Sequence, residues 1–215
     1  MVKKLLILGL GLVSIVSIGQ TITIDNKLTI SHGDITLYLT KDTCALASKH
    51  VITYSDFLKL DKERDNRWFQ DTYKGKYTKD YYLRTGYDIG HLTPSHITSY
   101  NNELNHRSFS LFNAAPQLAA FNRGKWAQIE RSVEDSIAKY KKDAIIVTGV
   151  IYDGKKTTYM GKSKIPIPMS FFKVVYIDEK VFCWIGSNIN GLITKTTVKE
   201  LNDVFKLNKT IIKLD

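Results

Sequence analysis

One side chain in the middle of this 215-residue chain has a type and a setting suited to acid–base chemistry: His91. His91 lies in the run Thr85-Gly86-Tyr87-Asp88-Ile89-Gly90-His91-Leu92-Thr93-Pro94, where a carboxylate and a glycine precede the imidazole. An imidazole with an ordinary pKa near 6.5 changes charge where a hydrolytic reaction needs a base. Five histidines occur, and His91 is the one with such a context. His96, five residues on, reads as a solvent-facing or hydrogen-bonded side chain rather than half of a two-histidine metal site. Further along come Phe112-Asn113-Ala114-Ala115-Pro116-Gln117, then Phe121-Asn122-Arg123-Gly124-Lys125-Trp126, with Glu130 beyond.

Taken in order, these blocks resemble the DNA/RNA non-specific endonuclease family, the ββα-metal nucleases. The family pattern is Gly-[Tyr/Phe]-Asp-Arg-Gly-His-Leu-x-Pro, then Asn-x-x-Pro-Gln, then Asn-x-x-x-Trp and a downstream Glu. Thr148-Gly149 and the stretch Ile165-Pro166-Ile167-Pro168-Met169-Ser170-Phe171-Phe172-Lys173 are similar to a further strand of the family. The resemblance runs from Lys62 to Asn188. It implies an endonuclease that hydrolyses phosphodiester bonds of DNA and RNA, with His91 taking a proton from the attacking water and Asn113 supporting it nearby. It also implies that Asn122 is the single direct protein ligand to a divalent cation, Mg²⁺ with Mn²⁺ as a substitute. An amide oxygen is a hard donor, and Mg²⁺ keeps several of its waters, so one protein ligand suits it. Asp88 and Gly90 then belong to the structure of the turn. An upstream phosphate-binding arginine is expected too; Arg64 and Arg67 match it equally well, and Arg84 is a third cation close to the motif.

Glu130 can be placed by geometry. Eight residues along a helix rise about 12 Å, too far for two direct ligands, while the angular offset is only about 80°. Glu130 therefore shares a face with Asn122 and is expected in the cation's water shell. Ile89 departs from the pattern, since the family carries arginine there and that arginine would contact phosphate. The chain thus reads either as an active nuclease in which a neighbouring cation substitutes, or as a nuclease-derived nucleic-acid-binding protein with weak or no catalysis.

The elements that must position these residues follow from periodicity. Trp126, Ile129, Val133, Ile137 and Tyr140 form one stripe of a helix starting at or just after Asn122. Ala144–Tyr152 reads as a buried strand, and Phe171–Ile177 and Lys180–Gly186 as a hairpin across Asp178-Glu179. Thr21–Ile30 alternates around Asp25-Asn26, which predicts another hairpin, and Ile35–Thr40 a further strand. Ser55 is expected to cap a short helix through Leu60, and Thr197-x-x-Glu200 is a capping box opening a last helix with Val198, Leu201, Val204 and Phe205 inward. From Lys62 to Tyr82 the chain reads as an irregular surface segment. Strands arranged in hairpins predict an α+β fold, a mainly antiparallel central sheet with packed helices, in one domain from residue 20 to 215.

Lys and Arg number 31 against 21 Asp and Glu, a net charge of +10. That surplus suits a polyanion such as nucleic acid or an anionic membrane surface, and also occurs on plain solvated surfaces. With the resemblance in hand it gains a location: Arg64, Arg67, Arg84, Arg123 and Lys125 should border a pocket between His91 and Asn122. A composition of 43% hydrophobic residues with 13 Gly and 4 Pro excludes disordered and collagen-like classes. At the start, Lys3-Lys4, the apolar run Leu5–Ile18 and the small residues Ser17 and Gly19 read as a signal peptide over residues 1–19. Export to the periplasm or beyond is expected, with no stable membrane insertion once the segment is cleaved, because the run is shorter than the ~18–20 residues a span needs. Cys44 and Cys183 are compatible with either one disulfide or two buried thiols.

Overall fold

The computed structural model describes residues 22–24, 28–40, 42–61, 65–70, 78–161, 164–208 and 212–214. The proposed signal segment, the Asp25-Asn26 turn and Arg64 lie outside the described residues. In chain order the strands are β1 (Ile22–Ile24), β2 (Leu28–His32), β3 (Ile35–Leu39), β4 (Ala45–Ile52), β5 (Tyr87–His91), β6 (Ala114–Leu118), β7 (Ala144–Ile151), β8 (Thr158–Met160), β9 (Ile165–Ile167), β10 (Ser170–Ile177), β11 (Lys180–Ser187), β12 (Ile193–Lys195) and β13 (Ile212–Leu214). The α-helices are α1 (Tyr54–Phe57), α2 (Asn102–Ser108), α3 (Ala119–Phe121), α4 (Ala127–Tyr140) and α5 (Val198–Leu207).

Seven strands form one antiparallel sheet in the order β12-β11-β10-β7-β4-β3-β2. Every position of β7 and β10 is buried, as expected for near-continuous apolar strands covered on both faces. On one face α5 lays Leu201 and Phe205 against Ala47, Val147, Phe172 and Val174. Its first turn is closed by the predicted capping box of Thr197 and Glu200. On the other face α4 packs Val133 and Ile137 against Ile146, Val175 and Ile177. Between β4 and β7 the chain inserts the β5–β6 hairpin and the α3–α4 arm, so the candidate site is a ββα unit carried on the α4 face of the sheet.

Two local expectations, a strand pairing and a helix cap, are corrected, and the open question of the cysteines is resolved. Leu28–His32 does not pair with the strand before it; it pairs with β3 across Gly33 and Asp34, where Gly33 takes φ +58°, and β1 pairs with β13 instead. Alternation identifies a strand but not its partner. The short helix is capped by Thr53, whose side chain accepts from the Asp56 N–H, and it ends at Phe57. The two cysteines are buried free thiols. Two whole strands, β7 and β10, stand between the strand that Cys44 precedes and the strand that carries Cys183, and burial pushes the Cys183 thiol up to about 12.

One buried titratable group makes the fold sensitive to acid. His50 on β4 is fully buried; its Nε2 lies 3.3 Å from the Tyr100 hydroxyl, which donates to Asp34. Burial, with the positive charge of Lys173 nearby, pushes His50 down to about 3. Between that value and the ordinary 6.5 only the unfolded chain carries the proton, so stability is present above 6.5 and is lost as the pH falls toward 3, by about 1.4 kcal/mol per pH unit. Urea unfolding between pH 4.5 and 6.5 should show that slope, and His50→Asn should flatten it by the same amount. Parallel slopes in the two proteins would refute the assignment.

Candidate active site

His91 ends β5, directly opposite Ala114 of β6. The residue before it has to be glycine: a Cβ at Gly90 would collide with the buried side chain of Gln117 on the partner strand. Beyond His91 the backbone is clamped by Asn113. The Leu92 N–H donates to its carbonyl at 2.8 Å and the Thr93 N–H to its Oδ1 at 3.0 Å. Its Nδ2 donates to the carbonyls of Thr93 and Ser108, both at 2.8 Å. The imidazole itself packs against two rings, Trp68 at 4.3 Å between centroids and Phe109 edge-on at 4.9 Å, which also touch each other at 5.2 Å. Packing thus fixes the orientation of the ring, as a base requires.

Asn122 does not begin a regular helix. After α3 the chain makes a π-helical turn over Asn122–Trp126, with Gly124 at φ −102°, ψ −107°, before α4 continues. Insertions of this kind often mark functional sites, because the extra residue re-aims side chains. Here the turn brings Asn122 and Arg123 together onto Asp88 of β5. Asn122 Nδ2 donates to Asp88 Oδ2 at 2.9 Å, and Arg123 binds both carboxylate oxygens, at 2.9 and 2.6 Å. Partial burial alone would raise the Asp88 pKa; the hydrogen bonds from Arg123 and Asn122 outweigh it and hold the carboxyl below its usual range. Asp88 is therefore an anion at neutral pH, and it commits the amide nitrogen of Asn122, so the carbonyl oxygen is the donor left for a cation.

An open cleft of about 480 Å³ is lined by Trp68, Asp88, Ile89, His91, Asn122, Arg123 and Glu130 among others. The predicted trio of His91, Asn122 and Glu130 thus converges on one surface from β5, the π turn and α4. Beneath it the sheet carries a polar row. Ser48, Thr148 and Lys173 sit side by side on β4, β7 and β10, all buried. Lys173 Nζ donates to Thr148 Oγ1 at 2.5 Å and lies 5.3 Å from the Trp126 ring centroid. Burial pushes the Lys173 ammonium down to about 8 while Glu130 pulls the other way, which leaves it a cation at neutral pH.

Other predicted residues go elsewhere. Asn113 is fully buried behind His91, with both amide atoms taken by backbone, so it holds the loop and does not face the cleft. Arg67 is tied to Asp65 through two hydrogen bonds; together with His106 it holds that carboxyl at about 2. Arg84 is an exposed turn residue at φ +58°, and Lys125 is exposed on the π turn; of the described cations expected at the rim, Arg123 alone lines the cleft. His96 is hydrogen-bonded, as expected, through Nδ1 to Glu134 at 2.8 Å on the rim. Ile89 packs with Tyr82, Met160 and Ile165. Sequence reasoning missed Trp68, which lies in the segment read as irregular surface; an aromatic among charged residues was the available signal.

The fold and the site define a class: a ββα unit set on an antiparallel sheet, presenting a histidine, an asparagine and a glutamate to one cleft. The profile of the DNA/RNA non-specific endonuclease family matches residues 14–204, and the chain belongs to that family. It is similar to the mitochondrial nuclease of Saccharomyces cerevisiae, 30% identical over 146 residues that cover 62% of this chain and 42% of that protein. It is similar also to a salivary endonuclease of Lutzomyia longipalpis, 29% identical over 122 residues, 54% of this chain and 30% of that one. The chain thus spans less than half the length of either relative. Among solved structures, the EndoG/EndoGI complex contains a chain with the same fold at a TM-score of 0.69 and 21% identity, covering 85% of this chain and 84% of that one.

Proposed function

We propose that this chain is a divalent-metal-dependent endonuclease that hydrolyses phosphodiester bonds of DNA and RNA with little sequence preference, and that its N-terminal segment directs its export. The observation that carries the reading is the convergence of His91, Asn122 and Glu130 on one polar cleft. His91 receives the proton of the attacking water, its ring held by Trp68 and Phe109. Arg123, anchored on Asp88 at the cleft wall, offers its guanidinium to phosphate where Ile89 offers none.

The donor set fits a hard cation. Asn122 supplies an amide oxygen whose orientation Asp88 sets, and Glu130 supplies a carboxylate. Among the described residues no three His, Cys, Asp or Glu side chains gather as a closed cage. A cation that keeps several waters, as Mg²⁺ does, suits such a partial set, and Mn²⁺ would substitute. When bound, it would stabilise charge developing on the phosphate. Contacts aimed at phosphate carry no direct sequence information, which accounts for broad specificity.

The test is cleavage of plasmid DNA and of a long RNA with Mg²⁺, with Mn²⁺ and with EDTA. Both substrates should be cut with either metal and neither with EDTA, and the rate should fall steeply as salt rises, because binding of this kind rests on counterion release. Undiminished cleavage in EDTA would sink the proposal. A second reading rests on Ile89, the apolar residue where the family carries arginine: a protein that binds nucleic acid without cutting it. Retained binding with no turnover in either metal would favour that reading.

A further inference from the structure

Lys173 is the most deeply buried lysine among the described residues, and the reaction outlined above leaves it unused. It stands on β10 among apolar neighbours, with Phe171 and Val175 on the same face of the strand, and it is 1% exposed. An ammonium in such a place is costly, and a methionine of similar length would stabilise the sheet at least as well, so its presence asks for a specific partner. Its hydrogen bond to Thr148 and the Trp126 ring face account for two directions of the group. Glu130 lies one helical turn beyond Trp126, and Lys173 and Glu130 line the same small cavity beneath the cleft.

We infer that Lys173 is a positioning residue that holds the Glu130 carboxylate from below and keeps it aimed into the cleft beside Asn122. The Thr148 hydroxyl and the Trp126 face fix the ammonium, and the ammonium fixes the carboxylate. The polar row on the α4 face of the sheet is then a foundation for the ββα unit. This inference rests on the reading that Asn122 and Glu130 serve a divalent cation.

The probe is Mn²⁺ alone, titrated into the metal-free protein and followed by electron paramagnetic resonance, with thermal melting run in parallel. Lys173→Met should weaken Mn²⁺ binding roughly tenfold, the low end of the loss that follows removal of an outer partner of a metal ligand. Removing one cation from beside another would by itself tighten Mn²⁺, so a loss marks positioning rather than through-space charge. Thr148→Val, which takes away only the anchor of the ammonium, should weaken binding in the same direction by a smaller factor, and it carries the test should Lys173→Met not fold. On a Glu130→Gln background Lys173→Met should add nothing. Unchanged or tighter Mn²⁺ binding in the Lys173 and Thr148 variants would overturn the inference, and so would an undiminished loss on the Glu130→Gln background, with the cation reading left standing. If Asn122→Ala and Glu130→Gln themselves bind Mn²⁺ like the wild type, the cation reading fails first and takes the inference with it.

Discussion

His91→Ala should cleave plasmid DNA about a thousandfold more slowly than the wild type at saturating Mg²⁺, the middle of the range a positioned general base supplies. The loss should lie in turnover. Asn122 and Arg123 hold the Asp88 carboxylate through their own hydrogen bonds, so that cluster should stay in place and Mn²⁺ binding should match the wild type. Stability should change little more, because the ring is only half-buried and the backbone around it is held by Asn113 rather than by the imidazole. The truncation opens a slot beside the Trp68–Phe109 pair. Free imidazole entering that slot should restore part of the rate, with a pH profile that follows the added base. Single-turnover rates within tenfold of the wild type would remove His91 from the role of base. A loss accompanied by weakened Mn²⁺ binding would make the residue part of the cation site instead.

How far the sequence reaches depends on how local each feature is. The stripe from Trp126 to Ile137 and the Thr197–Glu200 cap are set by neighbours within a few residues, and each is found where periodicity and residue type place it, whereas Asp88 and Gly90, expected in a turn, lie on strand β5 because Ala114–Leu118 pairs with it from far along the chain. The strand at Leu28 was legible as a strand while its partner was not, because alternation is the same whichever edge it meets. The seven-residue helix α2, capped by Asn101, is too short to show a period. The cationic rim was the least legible part. Arg67 has the right type and the right position in the chain, yet Asp65 two residues away takes its guanidinium. Arg123, one of the five cations expected at the rim, is the one locked onto Asp88 at the cleft wall. Local sequence names the donors; only the packed fold says which acceptor each one meets.

Replacing Asn122 tests whether that fold-level wiring matters. Asn122→Ala removes the amide oxygen and should lower activity by about a hundredfold to a thousandfold at fixed, sub-saturating Mg²⁺, in line with several kcal/mol of lost charge stabilisation. Raising Mg²⁺ should recover part of it, since the other contacts to the cation remain. The more telling variant is Asn122→Asp. By donor chemistry alone a carboxylate should hold Mg²⁺ better than an amide. In this site the side chain also has to lie 2.9 Å from Asp88 Oδ2, where Asn122 now donates an N–H and an aspartate would bring a second negative oxygen. Two carboxylates that close cannot both stay ionised without a cation between them, and one pKa rises. Asn122→Asp should therefore rescue little of the alanine loss at neutral pH, and gain activity as the pH is raised. Arg123 is already bidentate on Asp88, so its charge is shared with that carboxylate and does not fully neutralise the newcomer. Full wild-type activity in Asn122→Asp at pH 7 would mean that Asp88 does not set the orientation of the ligand. An alanine variant as active as the wild type would remove Asn122 from the cation site altogether.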